Sequence, residues 1–117
     1  MDATAHDMNT QIPFEIEVEN LKEMSDAGAP FTIVDVREQW EIDTCKFDDS
    51  LHVPMNQIPY NVDKIPTDNP VVVICHHGVR SMHVMSFLRN HGFDNATSLR
   101  GGIDAWAKRI DPSMATY

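Results

Sequence analysis

The amino-acid sequence predicts an α/β domain, on three observations. Val71-Val72-Val73-Ile74 is a run of β-branched apolar residues suited to a strand buried on both faces. Soon after it the apolar period changes to Val84, Phe87, Leu88 and then His91, the i, i+3, i+4, i+7 spacing of a helix. Phe31 to Val36 is a second strong strand, again followed by polar residues and a short helical stretch. A chain of 117 residues is the size of one domain, with no room for a second core.

Taken in order, residues 1–12 are expected to form a flexible tail, since they are polar and aperiodic, and the folded domain is expected over residues 13–117. Pro13-Phe14-Glu15-Ile16 supports at most an edge strand, because its alternation is brief and it begins at proline. Val18, Leu21 and Met24 then share one side of a helix that runs to Ala27 and stops at Gly28. Within the strand Phe31–Val36, Asp35 interrupts the apolar run. A carboxylate there is costly to bury alone, so it either pairs with a loop arginine such as Arg80 or caps the following helix. Glu38, Trp40, Glu41 and Ile42 continue as a short helix towards Cys45.

Leu51-His52-Val53-Pro54 reads as a short strand ended by proline, and Ile58-Pro59 to Ile65-Pro66 as an irregular connection. A lone histidine beside a strand, here His52, is more often structural than catalytic. Gly92 closes the helix begun at Ser81, and Ala96-Thr97-Ser98-Leu99 is a further strand. Gly101-Gly102 permits a sharp turn into a last helix with Ile103, Trp106 and Ile110 on one face. Trp106 is expected to anchor the core, and Asp111-Pro112 ends the helix.

Cys75 stands where a strand's carboxyl end meets a helix's amino end. Loop amides and first-turn N–H groups lack helical partners there and converge on whatever lies in the crevice, and with the helix dipole they favour a thiolate, the nucleophilic form of cysteine. Gly78 suits a tight loop whose amides turn inward. Cys45 is far from Cys75 in sequence and reads as a bystander. No Cys-x-x-Cys pair signals zinc or a local redox couple, and no disulfide framework is apparent, which suits a reducing compartment. The opening Met1-Asp2-Ala3-Thr4 is neither basic nor apolar, so a cytoplasmic location is expected.

The composition, 42% hydrophobic and 23% charged, is that of an ordinary soluble domain. Eighteen acidic against nine basic residues give a net charge of −9, which argues against nucleic acid or an anionic membrane as partner. An anionic substrate must then be drawn by a local site, with Arg80, Arg89 and Arg100 as candidates.

The pattern Cys75-His76-His77-Gly78-Val79-Arg80-Ser81 after a Val/Ile run, together with Ile33-Val34-Asp35-Val36-Arg37-Glu38, His52-Val53-Pro54 and Leu99-Arg100-Gly101-Gly102-Ile103-Asp104-Ala105-Trp106, resembles the rhodanese-like sulfurtransferase family. The likeness covers Phe14 to Ile110 and departs from the family after Pro54, where Met55-Asn56 stand in place of the more usual Gly-Ala. It implies a single domain whose central, mainly parallel sheet is flanked by helices on both faces. It also implies that Cys75 carries sulfane sulfur as a persulfide, that His76, His77, Gly78, Val79, Arg80 and Ser81 form the cradle, and that Asp35 and Arg37 support it. The ending Asp111 to Tyr117 resembles the tail of rhodanese domains attached to adenylyltransferases of the ubiquitin-activating type, which feed sulfur to small carrier proteins. No cofactor is implied.

Four functions remain to be compared. A sulfurtransferase would take sulfur from a small anionic donor such as thiosulfate and pass it to cyanide or a thiol. A cysteine phosphatase would use similar geometry, but its signature runs seven residues from cysteine to arginine, and Cys75 to Arg80 is six. A metal site at Cys75, His76 and His77 is disfavoured because three adjacent residues seldom converge on one ion. A non-catalytic module is disfavoured because the cysteine, glycine and arginine are all present.

Overall fold

The computed structural model describes residues 12–117, so the expectation of a flexible tail lies almost wholly outside the described residues. Five parallel strands form one sheet in the order β1-β5-β4-β2-β3: β1 is Glu15–Ile16, β2 Thr32–Asp35, β3 Leu51–His52, β4 Val71–Ile74 and β5 Ala96–Leu99. The helices are α1 Val18–Asp26, α2 Gln39–Thr44, α3 Val79–Asn90 and α4 Gly102–Arg109. Among the described residues no helix is long and apolar enough to cross a membrane.

Strand β4 is central and buried along its whole length, and its side chains alternate between two cores. Val71 and Val73 face a cluster with Val84, Met85 and Leu88 of α3, together with Ile58 and Ile65. Val72 and Ile74 face the opposite cluster, with Leu21 of α1 and Ile103 of α4. Two covered faces explain why the strand reads as an unbroken apolar run rather than an alternating one. Truncating Leu88, which is fully buried, to alanine is expected to cost about 2–5 kcal/mol by the loss of its contacts and the cavity left behind.

Local signals account for the element ends. Helix α1 starts in a capping box in which Asn20 Oδ1 accepts from the Glu17 amide at 2.9 Å, and it ends before Gly28, whose φ is +68°. The connection expected to be irregular instead forms two 3-10 turns, Met55–Tyr60 and Val62–Lys64. Ile58 and Ile65 are drawn into the core, and short i to i+3 bonds, Gln57 N to Pro54 O at 2.8 Å among them, tighten the backbone around them. The buried face of α3 also differs from expectation. Ser81, Val84, Met85 and Leu88 are its buried residues, Phe87 is half-buried and His91 is exposed. The face turns because the polar Ser81 lies inward at the first turn, a position that apolar periodicity does not register.

The register sets Asp35 beside both Ile74 and His52, so the carboxyl ends of β2, β4 and β3 lie together. The residues that follow these strands, Arg37, Cys75 and Val53, gather at that end of the sheet, where open α/β sheets hold their ligands.

Candidate active site

Cys75 follows β4 directly and keeps its parity, so its side chain turns towards α3 and is only 1% exposed. The helix begins at Gly78, whose φ of +102° is left-handed and whose missing side chain leaves the first-turn amides without an N-cap acceptor. The cysteine sulfur takes that place. Sγ accepts from the Gly78 amide at 3.1 Å and from the Ser81 amide at 3.3 Å, and lies 3.4 Å from Ser81 Oγ. Ser81 Oγ is in turn 2.7 Å from Ser98 Oγ on β5, which orients the hydroxyl. Two amides and a hydroxyl thus converge on the sulfur at the positive end of a twelve-residue helix, an arrangement that stabilises negative charge on it.

The loop is fastened from the other side by α4. Its first amides donate to the carbonyls of the cysteine loop, Ile103 N to Cys75 O at 2.9 Å and Asp104 N to His76 O at 3.1 Å. This approach is close enough that a Cβ on Gly102 would run into the carbonyl oxygens of His76 and Cys75. The pair Gly101-Gly102, read as a turn, is also required by that contact.

The two arginines are distributed differently from either expectation for Asp35. The fully buried Asp35 pairs with Arg37, two residues on, through Nε to Oδ1 at 2.9 Å and Nη2 to Oδ2 at 2.7 Å. It accepts the Arg37 amide rather than capping α2, whose cap is Glu38. Arg80 instead makes a two-point contact with Glu41, Nη1 to Oε2 at 2.8 Å and Nη2 to Oε1 at 2.9 Å. A partner two residues away needs no loop to be ordered, which is why the local arginine prevails over the distant one.

Three residues outside the expected set complete the site: Glu41, Tyr117 and Ser98. Tyr117 accepts from Arg37 Nη1 at 2.9 Å and donates to Glu41 Oε1 at 2.8 Å, and its ring stacks on His76 with centroids 3.9 Å apart. Glu41 occupies N3 of α2, and its Oε2 also accepts the Glu38 amide, so the Glu38-x-x-Glu41 capping spacing is the signal that marks it. The Arg80 guanidinium, with the Glu38 amide and the Tyr117 hydroxyl, overcomes the effect of burial and holds the Glu41 carboxyl down at about 2. Burial pushes the Tyr117 phenol up to about 12. Burial opposes the charge on Arg37, but its bonds to Asp35 and Tyr117 outweigh that and its pKa rises. Burial, and then the neighbouring His77, lower the pKa of His76.

Comparison with known proteins decides the family. Residues 17–109 match the rhodanese-like domain family. The chain belongs to that family. This rhodanese-like domain is 36% identical over 101 residues to a sulfurtransferase of Allochromatium vinosum, a match covering 86% of this chain and 94% of that one. It is 31% identical over 86 residues to the thiosulfate sulfurtransferase GlpE of Actinobacillus pleuropneumoniae, covering 74% and 80% respectively. It is 30% identical to the adenylyltransferase and sulfurtransferase MOCS3 of Oryza sativa, where the match covers 87% of this chain but 26% of that protein. Among solved structures, a rhodanese-like domain protein from Staphylococcus aureus superposes with a TM-score of 0.77 at 28% identity, covering 90% of this chain and 99% of that one.

The side chains of the remaining candidates make no hydrogen bond to the cysteine sulfur of this rhodanese-like domain among the described residues. Arg89 donates to the carbonyl of Ala96 at 2.8 Å and to that of Ile12 at 2.6 Å, and Arg100 pairs with Glu17 at 3.1 Å, so neither faces Cys75. His52 Nε2 lies 2.7 Å from the Arg37 carbonyl. Cys45 is half-buried, with Sγ 3.9 Å from Arg37 Nη1. The histidines that come together do so with Asp104 rather than Cys75: His76, His77 and Asp104 bring ligand atoms within 4.8 Å of one another, and Asp104 Oδ2 is engaged by Lys108 at 3.0 Å. Val79 is exposed at the rim.

Proposed function

We propose that the protein is a sulfurtransferase that moves sulfane sulfur from a donor such as thiosulfate to a thiophilic acceptor, cyanide or a thiol, through a persulfide on Cys75. The observation that carries this reading is the pair of amide donors on the cysteine sulfur, those of Gly78 and Ser81, with the Ser81 hydroxyl in contact beside them, within a loop of six residues from Cys75 to Arg80. The Cys75 thiolate attacks the outer sulfur of thiosulfate. The sulfur–sulfur bond of the donor breaks, sulfite leaves with its electron pair, and the enzyme is left as Cys–S–S⁻. The acceptor then attacks the outer sulfur and Cys75 departs as the thiolate, so that cyanide becomes thiocyanate. Neither step requires a proton to be taken from the nucleophile once the thiolate is formed, which agrees with the absence of a general base poised at Sγ among the described residues.

A phosphatase is disfavoured by the same loop, one residue shorter than a ring that encircles phosphate. The names of the relatives point the same way, thiosulfate for GlpE and fusion to an adenylyltransferase for MOCS3. The latter, with the Asp111–Tyr117 ending, favours a sulfur-carrier protein or its adenylyltransferase as a physiological partner. Both cysteines are free thiols, which suits action in the cytoplasm. Mass spectrometry of the protein after incubation with thiosulfate tests the reading: one sulfur added at Cys75 and removed by cyanide is expected. No mass gain with any of thiosulfate, a persulfide or mercaptopyruvate would overturn it.

A further inference from the structure

Tyr117 takes no part in the sulfur transfer proposed above, yet it touches both the loop that carries the sulfur and the ion pairs behind it. Arg37 has only protons to offer, so the phenol accepts from Arg37 Nη1 and gives its single proton to Glu41 Oε1. Glu41 spends its remaining capacity on the Arg80 fork and the Glu38 amide. Arg80 belongs to the first turn of α3, between the two residues whose amides reach the cysteine sulfur. The ring of Tyr117 covers His76, the residue after Cys75, with planes 13° apart, and meets Trp40 edge-on at 5.4 Å. His76 lies against the ring of His77 as well, centroids 3.8 Å apart. The loop is therefore pinned through its backbone by α4 and through its side chains by Tyr117. The aromatic ring belongs to neither core cluster, so its contacts are concentrated at the loop rather than spread through the fold.

We propose that Tyr117 is the positioning residue of the sulfur-carrying loop, fixing Arg80 through Glu41 and His76 through ring stacking so that the Gly78 and Ser81 amides stay aimed at the cysteine sulfur. Only the kinetic half of this inference rests on the proposed function. Tyr117→Phe keeps the ring and removes the hydroxyl, while Tyr117→Leu removes both. Each leaves buried Arg37 Nη1 and Glu41 Oε1 short of one hydrogen bond. One hydrogen bond of this kind is worth about 1 kcal/mol or more, equivalent to roughly a fivefold change in rate.

The test uses the full chain in three measurements: single-turnover persulfide formation from thiosulfate by mass spectrometry, amide hydrogen exchange of residues 76–81, and titration of His76 by NMR. Persulfide formation is expected to slow by about fivefold in Tyr117→Phe and more in Tyr117→Leu, with the thiosulfate concentration for half-saturation unchanged within about twofold. Exchange of the Gly78 and Ser81 amides should speed up in both variants while that of β4 does not. His77, Asp104, Glu41 and Tyr117 are the groups that act on His76, and burial is the largest influence lowering its pKa. Its pKa should therefore rise towards the ordinary histidine value in Tyr117→Leu, and stay low in Tyr117→Phe, where the ring still covers it. Wild-type rates, loop exchange and His76 titration in both variants would overturn the inference and leave the proposed function standing. Faster loop exchange in a protein that takes no sulfur from thiosulfate, a persulfide or mercaptopyruvate would support the positioning role and sink the function instead.

Discussion

Glu41 holds the guanidinium of Arg80 at both ends, at 2.8 and 2.9 Å, and thereby ties the first turn of α3 to α2 across 39 residues of chain. The carboxylate is 4% exposed and the guanidinium 31%, so the pair is better shielded than a surface ion pair and is only partly screened by solvent. Behind it stands the fully buried Asp35–Arg37 pair, and Tyr117 bridges the two. The two ion pairs and the phenol thus form a neutral, hydrogen-bonded frame beside the cysteine loop, with the Arg80 guanidinium engaged by Glu41.

A double-mutant cycle separates these pairs. Arg80→Lys keeps the charge but loses the planar two-point contact, and Glu41→Gln loses the charge while keeping the shape. Each is expected to lower sulfur transfer by about tenfold, and the double variant should lose less than the sum of the two in free energy. Asp35→Asn combined with Arg80→Lys should come closer to additivity, since they touch only through Arg37, Tyr117 and Glu41. Strict additivity in the first cycle would show that Arg80 and Glu41 act apart.

The two cysteines give a sharper contrast. Cys75→Ser is expected to abolish persulfide formation with little change in thermal stability, because serine is close in size and meets the same amide donors. Cys45→Ser should keep most of the activity, since Sγ of Cys45 has one long contact with Arg37 and no converging amides. Equal losses from both substitutions, measured as sulfur taken up from thiosulfate, would indicate a dithiol mechanism.

Acid stability should report Glu41. Its carboxyl is held at about 2 in the folded protein against 4.5 for the unperturbed group, so the folded state binds this proton less readily than the unfolded one. The resulting stability, roughly 3 kcal/mol for a shift of that size, is fully present above about pH 5 and is lost as pH falls through 4.5 towards 2. Urea denaturation at a series of pH values should show this decline in the wild type and a shallower one in Glu41→Gln. Identical slopes in the two proteins would remove Glu41 from the account.

Much of the frame was legible in the sequence because burial and period are local properties. Val71–Ile74 reads as a doubly covered strand, Gly28 and Gly92 mark helix ends, and Cys75 announces itself by standing between strand and helix. What was not legible depended on the tertiary structure. Which carboxylate meets Arg80 is decided by the placement of α2 against α3, and Glu41 carried only a capping signal. Tyr117 lies 36 residues beyond Ser81 and reaches the loop only because the segment after α4 folds back across it. Ser98 sits in a wholly buried strand, beside Thr97, where a hydroxyl has no periodic signature, and its purpose appears only once Ser81 is seen 2.7 Å away.

Gly102→Ala probes the second fastening of the loop. The residue has a φ of +62°, and an added Cβ would meet backbone oxygens rather than a movable side chain. The substitution should cost about 1–3 kcal/mol in stability from the strained backbone, and more from the clash, with transfer activity reduced by at least tenfold as α4 is pushed off the Cys75 and His76 carbonyls. Gly92→Ala is the control, because its φ is also positive but nothing lies within 4 Å of the added carbon. It should show the backbone strain and leave the activity per folded molecule unchanged. Similar activity losses in both glycine variants would mean that α4 does not hold the loop.

Loop length is the remaining determinant, and it separates the two chemistries that this geometry supports. In a loop of six residues from Cys75 to Arg80, the Gly78 and Ser81 amides contact the sulfur itself at 3.1 and 3.3 Å, so these N–H groups are directed at one sulfur atom rather than spread around a tetrahedral phosphate. The wild type is therefore expected to accept sulfur from thiosulfate and show no turnover of aryl phosphates. One residue inserted between His77 and Gly78 should widen the ring and draw the amides off the sulfur, so sulfur transfer is expected to fall by at least a hundredfold. Phosphatase activity should remain weak at best, because Arg80 stays bound to Glu41 and is not free to stabilise a phosphoryl transition state. Freeing it with Glu41→Gln in the inserted variant is the condition most favourable to phosphatase activity. Appreciable hydrolysis of aryl phosphate by the unmodified protein would show that six residues suffice to hold a phosphate, and that the donor set around Cys75 serves phosphoryl rather than sulfur chemistry.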